Sequence, residues 1–267
     1  MKVIDFHTHA FPDAIHARAI ESLKKACGGV YNPCHDGSLS GLMGNMDKFG
    51  IALSVVAPVI TNPRHFESLN SWAKEISGER IISLGAVHPE TEDYRADIDK
   101  ICALGLPGIK LHPEYQSFYI DNTKMMKIYE YAFSKGLFIL FHAGFDPAYP
   151  PPVHSSPEGF LKLSEVFPEG TIIAAHLGGQ KQWDEVLEVL AGSRVYLDTS
   201  MGQKYYPKDL FLKIVEKHGS EKILFGSDSP WSRADEEIES IKNCGLKPQE
   251  LENIFHKNAE RLLKINI

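Results

Sequence analysis

Along the chain, short runs of apolar residues bounded by turn residues alternate with longer stretches in which apolar positions recur every three or four residues. The first pattern suits strands buried on both faces of a parallel sheet; the second suits amphipathic helices that cover it. Eight strands are predicted, at residues 3–10, 51–59, 81–87, 108–112, 138–143, 171–176, 195–198 and 223–228. Helices are predicted between them at 13–26, 65–76, 93–104, 122–135, 157–167, 181–190 and 207–217, and after the last strand at 235–242 and 248–263. Some ends have local causes: Asp121-Asn122-Thr123 offers an N-cap, and Gly136 stops the same helix before the next strand. The stretch 11–50 is the longest connection, with a further helix at 41–49, and a loop of that size at a barrel mouth is expected to shape a pocket.

Eight β/α units within 267 residues is the size of a (β/α)8 TIM barrel, an α/β fold. A doubly wound sheet would place a Gly-rich phosphate turn after its first strand, whereas this strand ends in His-Thr-His. No linker, low-complexity stretch or repeat divides the chain, so one domain over 1–267 is expected. Composition changes little in that picture: 43% hydrophobic and 24% charged residues belong to an ordinary globular protein, not a disordered or fibrous one. Twenty-eight basic against 35 acidic residues leave a net charge of −7, without a basic run for nucleic acid or an anionic membrane. The N-terminus enters the first strand directly and no apolar stretch is long enough to span a bilayer, so a cytoplasmic protein is expected. Cys27, Cys34, Cys102 and Cys244 form no C-x-x-C pair and read as reduced thiols. Cys34-His35 reads as an ordinary loop pair.

The chemistry collects at strand ends. His7 and His9 share one face of the first strand; His88 follows the third; Lys110 and His112 lie on the fourth. His142 ends the fifth, His176 the sixth, Asp198 the seventh and Asp228 the eighth. A barrel gathers its reactive groups at that rim, and imidazoles on apolar strands need partners, so five histidines with one or two carboxylates point to a metal site.

Those residues sit in segments that resemble the amidohydrolase superfamily: DFHTHAFP (5–12), GIKLHPEYQ (108–116), LFHAG (140–144), AAHLGG (174–179), YLDTS (196–200), FGSDSPW (225–231) and NAERLL (258–263). Within it, the chain is similar to the amidohydrolase-2 branch, which includes aminocarboxymuconate semialdehyde decarboxylase and related hydrolases. The resemblance implies that His7, His9, His142 and Asp228 bind a divalent ion, zinc most often, with one ion favoured over two. It implies that Asp228 also accepts a proton from bound water, and that His176 acts as base or electrostatic stabiliser. Lys110 and His112 are expected to contact substrate; in a two-ion site a carboxylated Lys110 would bridge the metals. Asp5, placed two residues before His7, is expected to fix a histidine tautomer, and Asp198 to serve as an acceptor or a strand-end cap.

Phe11, Arg64, His88, Tyr115, Gln116, Phe145, Asp146, His154, Trp231 and Arg233 follow strand ends, and of these Arg64 and Trp231 are the candidate substrate contacts. The implied partner is a small molecule, and the amphipathic helix 248–263 is the surface on which a homodimer would form. The expected reaction is attack of metal-activated water on an amide, ester or lactone carbonyl. The alternative is metal-dependent decarboxylation of a small unsaturated or aromatic acid. A barrel that binds metal or ligand without turnover is the reading from outside enzymology.

Overall fold

Every predicted apolar run becomes a parallel strand of one closed barrel in the computed structural model, which describes residues 1–202 and 204–267. The strands are β1 (Ile4–Thr8), β2 (Leu53–Val56), β3 in two pieces (Ile81–Ser83 and Gly85–Ala86), β4 (Gly108–Leu111), β5 (Phe138–Phe141), β6 (Ile172–Ala174), β7 (Tyr196–Asp198) and β8 (Ile223–Leu224). Each pairs with its neighbour in sequence order. The ring closes where Phe6 N donates to Phe225 O (2.8 Å), Asp228 N donates to His7 O (2.8 Å), and Thr8 bridges Ser229. The strands are shorter than the apolar runs suggest, because the last residues of most runs leave the ladder. His112, His142, His176 and Asp228 all lie just past their strands, on backbone free to aim a side chain.

Strand alternation divides the apolar residues into two shells. Ile4, Phe6, Leu53, Val55, Leu140, Ile173 and Leu224 pack together in one cluster, while Val56, Ile109, Ile139, Phe141, Leu197 and Phe225 pack in the larger one that the helices cover. The first is the barrel interior, where Phe6 meets Phe138 with ring centroids 5.6 Å apart.

One irregularity matters for the site. Ile4 and Asp5 pair with Leu53 and Ser54, but Thr8 pairs with Val56, so β1 carries one extra residue between Asp5 and Thr8. Such a bulge reverses the side-chain parity beyond it. Phe6 and His7 consequently both face inward, while Asp5 faces the other side, where it accepts from Ser227 Oγ (2.6 Å) and Ser227 N (2.9 Å) of the chain leaving β8. The expectation that Asp5 fixes a histidine tautomer is thereby corrected: strict alternation placed it beside His7, and the bulge removes it.

The helices follow the predicted periodicity closely: His16–Ala26, Leu39–Phe49, Phe66–Ile76, Tyr94–Ala103, Thr123–Ser134, Pro157–Val166, Lys208–His218 and Ala234–Lys242. Asn122 is the N-cap of the fifth of these, accepting from Lys124 N at 2.9 Å, and Gly136 takes the left-handed conformation just past its end. The predicted helix 181–190 is Trp183–Glu185 running into a wider π turn, Val186–Leu190. The predicted helix 248–263 likewise contains a π segment at Asn253–Lys257 between Pro248–Glu252 and Asn258–Leu263. Between the first two helices the chain is pinned to the β8 exit: Cys34 N donates to Pro230 O (2.7 Å) and His35 Nε2 bonds Ser229 Oγ (3.1 Å). Among the described residues no helix is long and apolar enough to cross a membrane.

Candidate metal centre

Asp198, at the inward end of β7, organises the floor of the site. Its Oδ2 accepts from His7 Nδ1 (2.9 Å), and its Oδ1 accepts from His176 N (3.0 Å), Ser200 N (3.0 Å) and the Ser200 hydroxyl. Burial alone would push this carboxyl up, but the hydrogen bonds and the nearby imidazoles overcome that and hold it well below the usual carboxylate range. A carboxylate can only accept, so His7 carries its proton on Nδ1 and presents a lone pair on Nε2.

A second chain of rings is fixed in the same way. His176 Nδ1 bonds the Ser200 carbonyl at 3.1 Å, which can only accept, so His176 carries its proton there. Its Nε2, 3.1 Å from His142 Nδ1, then accepts, and His142 is left with a lone pair on Nε2. That Nε2 is buried and has no hydrogen-bond partner. An orphaned, buried ring nitrogen with its lone pair fixed from behind is the expected state of a metal ligand.

Opposite, His9 Nε2 lies 3.0 Å from Asp228 Oδ1, and His7 Nε2 lies 3.3 Å from the same oxygen. Two acceptors that close require positive charge between them, and the buried Lys110 ammonium supplies some, donating to His7 Nε2 at 3.0 Å. Burial draws His7 down to about 4, with the Lys110 charge adding to the effect, so it stands neutral, as a ligand must. Burial also draws Lys110 down to about 8, against the pull of Asp198 and Asp228. Asp228 is pushed up by burial but drawn down further by His7 and His9, and remains ionised. Asp228 and His176 both adopt left-handed backbone (φ 65° and 55°), a conformation that costs energy and clusters at working sites.

The ligand atoms of His7, His9 and Asp228 lie within 4.8 Å of one another, and His142 stands outside that group. It belongs to a second group with His112 and Asp146, whose ligand atoms also lie within 4.8 Å of one another. The His112 and His142 rings stack at 4.1 Å with an 8° tilt, Tyr115 stacks on the other side of His112 at 3.8 Å, and Asp146 Oδ2 is 3.6 Å from His112 Nε2. His7, His9 and Asp228, two imidazoles and a carboxylate with the His7 lone pair set by the acceptor behind it, fit a divalent ion, and His142 offers its free lone pair from the neighbouring group.

A cavity of about 690 Å³ opens over this floor and is lined by His7, His9, Lys110, His112, His142, His176, Asp228 and Trp231. Phe11, Tyr115, Phe145 and Asp146 also reach it. Arg64 does not: it stands exposed on the short turn Pro63–His65, and the chain there turns His65 to the cavity instead. His88, Gln116, His154 and Arg233 are likewise absent from the lining. Gln116 is a buried strut, donating to Ile60 O and Val87 O and accepting from His112 N, all at 2.9 Å. Sequence reasoning missed Ser200, whose only signal was its place two residues past Asp198, and it missed Gln180 and Tyr31, which line the cavity from loops.

The barrel fold is shared with solved structures. An uncharacterized TIM-barrel protein from Bordetella bronchiseptica is 21% identical, with 99% of each chain covered and a TM-score of 0.81. A 5-carboxyvanillate decarboxylase from Novosphingobium aromaticivorans, complexed with manganese, is 15% identical over 99% of this chain and 96% of its own, with a TM-score of 0.75. A structure from Pseudomonas putida, named for a proposed 2-pyrone-4,6-dicarboxylic acid hydrolase activity, is 16% identical over 100% of this chain and 98% of its own, with a TM-score of 0.70. No curated protein matches the sequence significantly. The family model described as amidohydrolase, of the second type, matches residues 4–265, and with its barrel, its strand-end histidines and its Asp228 the chain belongs to the amidohydrolase family, whose enzymes are metal-dependent.

Proposed function

We propose that this barrel is a hydrolase of a small amide, ester or lactone, using one divalent ion held by His7, His9, His142 and Asp228. The observation that carries the reading is Asp228, a carboxylate held ionised between two imidazoles at the floor of an open cavity. A bound ion would acidify a water to a pKa of ~7 and polarise the carbonyl under attack. Asp228 is then the proton acceptor, and Lys110, with an ammonium at the same floor, orients the polar end of the substrate. The family resemblance implies for His176 the role of base or electrostatic stabiliser. Its Nε2 accepts from His142, so here it positions that ligand, and the proton-accepting role falls to Asp228. His112 and Trp231 contact the substrate from the wall; Arg64 has no place in this scheme. The nitrogen-rich donor set suits zinc, and manganese is the other ion to try, since the Novosphingobium decarboxylase carries it.

Decarboxylation is the second reading, favoured by the buried Lys110 ammonium, which would hold a substrate carboxylate, and by the fold shared with 5-carboxyvanillate decarboxylase. One experiment separates the two. Zinc- or manganese-loaded protein is assayed in parallel on an ester, lactone and amide panel and on 2-hydroxybenzoate-type acids, following acid release in the first and carbon dioxide in the second. Hydrolysis is expected, with Asp228→Asn lowering it by about 100-fold or more, the usual scale for loss of a general base. Carbon dioxide release without hydrolysis would overturn the proposal in favour of the lyase, and neither, in protein that holds metal, would leave a binding barrel.

A further inference from the structure

The helix His16–Ala26 is amphipathic, yet Ile20 is its one buried residue among those described. Ile15, its N-cap, together with Ala19 and Leu23 forms a row at four-residue spacing, on one side of the helix. None of the three is buried, and all three line the cavity. Across from them the helix Phe66–Ile76 does the same with Leu69 and Trp72, which are only partly buried and also line the cavity. Two helix faces, apolar except for Arg18 and Ser22 on the first and Ser68 on the second, therefore look into the same concavity whose floor is the histidine cluster. From Ile15 to Leu23 the row runs roughly 12 Å along the helix.

We propose that this half of the cavity is a binding arm for an apolar portion of the substrate, an alkyl chain or aryl group attached to the reacting carbonyl or carboxyl. The occupant follows from continuity: the arm opens onto the candidate metal floor rather than onto a flat outer surface, so a molecule whose polar end lies at Lys110 and Asp228 has its remainder between the two helices. Burying that remainder is favourable by ~0.8 kcal/mol per methylene. The assignment builds on the proposed function for which end of the substrate reacts, but its test does not need turnover.

The probes are straight-chain carboxylates from butanoate to octanoate, titrated calorimetrically into the metal-loaded protein. A carboxylate is the product of hydrolysis and the reacting group in decarboxylation, so it reports under either chemistry. Affinity is expected to rise about three- to fourfold per added methylene. Affinity that is flat with chain length would overturn the arm. Ala19→Trp fills the arm from its own wall and is expected to bring the octanoate-to-butanoate affinity ratio close to one; an undiminished ratio would overturn it as well. Should that variant fail to fold, Ile15→Asp changes a position already 37% exposed and is expected to cut octanoate affinity about tenfold, an unchanged affinity again counting against the arm. A chain-length dependence without turnover of any ester, lactone, amide or acid would sink the proposed function and leave the arm standing; turnover with no chain-length dependence would do the reverse.

Discussion

Asp198 decides which nitrogen of His7 is free, and it does so at a distance from any substrate. Replacing it with Asn substitutes an amide that can present its donor to His7 Nδ1, favouring the tautomer with the proton on Nε2, where the lone pair is needed. Asp198→Asn is therefore expected to weaken divalent-ion binding by about 10- to 100-fold, read by titrating zinc against a competing chelator. An affinity within twofold of the parent would mean that His7 is not oriented from behind. Ser200→Ala tests the parallel chain, since Ser200 Oγ bonds both His7 Nδ1 (3.1 Å) and His176 Nδ1 (3.0 Å). Its expected effect is smaller, because the Ser200 carbonyl still accepts from His176. At this scale residue type and strand position were enough to pick out His7, His9, His142, His176, Lys110 and Asp228 as residues of one rim. They were not enough for Asp5 or Arg64. The first was misplaced by one extra residue in β1, and the second by a turn of the chain that exchanges Arg64 for His65.

Among the elements, the turn after β5 is where backbone and chemistry are most tightly joined. Gly144, two residues past His142, has φ 82°, and a Cβ there would stand 2.2 Å from Gln180 N on the neighbouring loop. Gln180 N donates to Ala143 O (2.9 Å) and Phe145 N donates to Gln180 O (2.9 Å), so the two loops cannot separate without losing both bonds. Gly144→Ala is expected to destabilise the protein by ~3 kcal/mol or more, combining left-handed strain with a backbone clash, and to impair metal uptake through His142. Asn122→Ala is the control: it removes an exposed N-cap of the helix Thr123–Ser134, at a cost of ~1 kcal/mol, with metal uptake intact. Denaturant titration reads both, and a Gly144→Ala variant as stable as Asn122→Ala would refute the close approach. Helices could be read from the sequence to within a residue or two because their periodicity runs over whole turns, as at 66–76 and 123–134. Strand ends could not, because residues such as Val87, Ala143 and Phe225 stay buried and apolar after the ladder has stopped.

The whole molecule responds to pH through groups buried in opposite senses, and their signs separate them. Asp198 and Asp228 are held ionised below their unfolded range, so the stability they contribute is present above about pH 4 and is lost as pH falls. His7, His112 and His142 are buried neutral, with folded values below the usual 6.5; the unfolded chain binds their protons first, so stability rises as pH climbs towards 6.5. Asp5 runs the other way. Burial raises it from 3.8 to about 7, in spite of its bonds from Ser227 and the His7 backbone. Between those values the folded state holds a proton that the unfolded state has released, so this contribution is full below pH 4 and is lost as pH rises to about 7. The histidines and Asp5 overlap in the same window with opposite slopes, so the wild-type profile alone does not isolate either. Asp5→Asn does, because it keeps a carbonyl oxygen for Ser227 N and removes the titration, while the exchange of its second acceptor for an amide donor facing Ser227 Oγ is the same at every pH. Relative to the parent it is expected to gain stability steadily between pH 4 and 7, by a few kcal/mol in total, and to stay level above. Denaturant midpoints of the two proteins, taken without metal at half-unit pH steps, measure that difference, and two profiles that run parallel across the window would show that Asp5 is ionised in the fold.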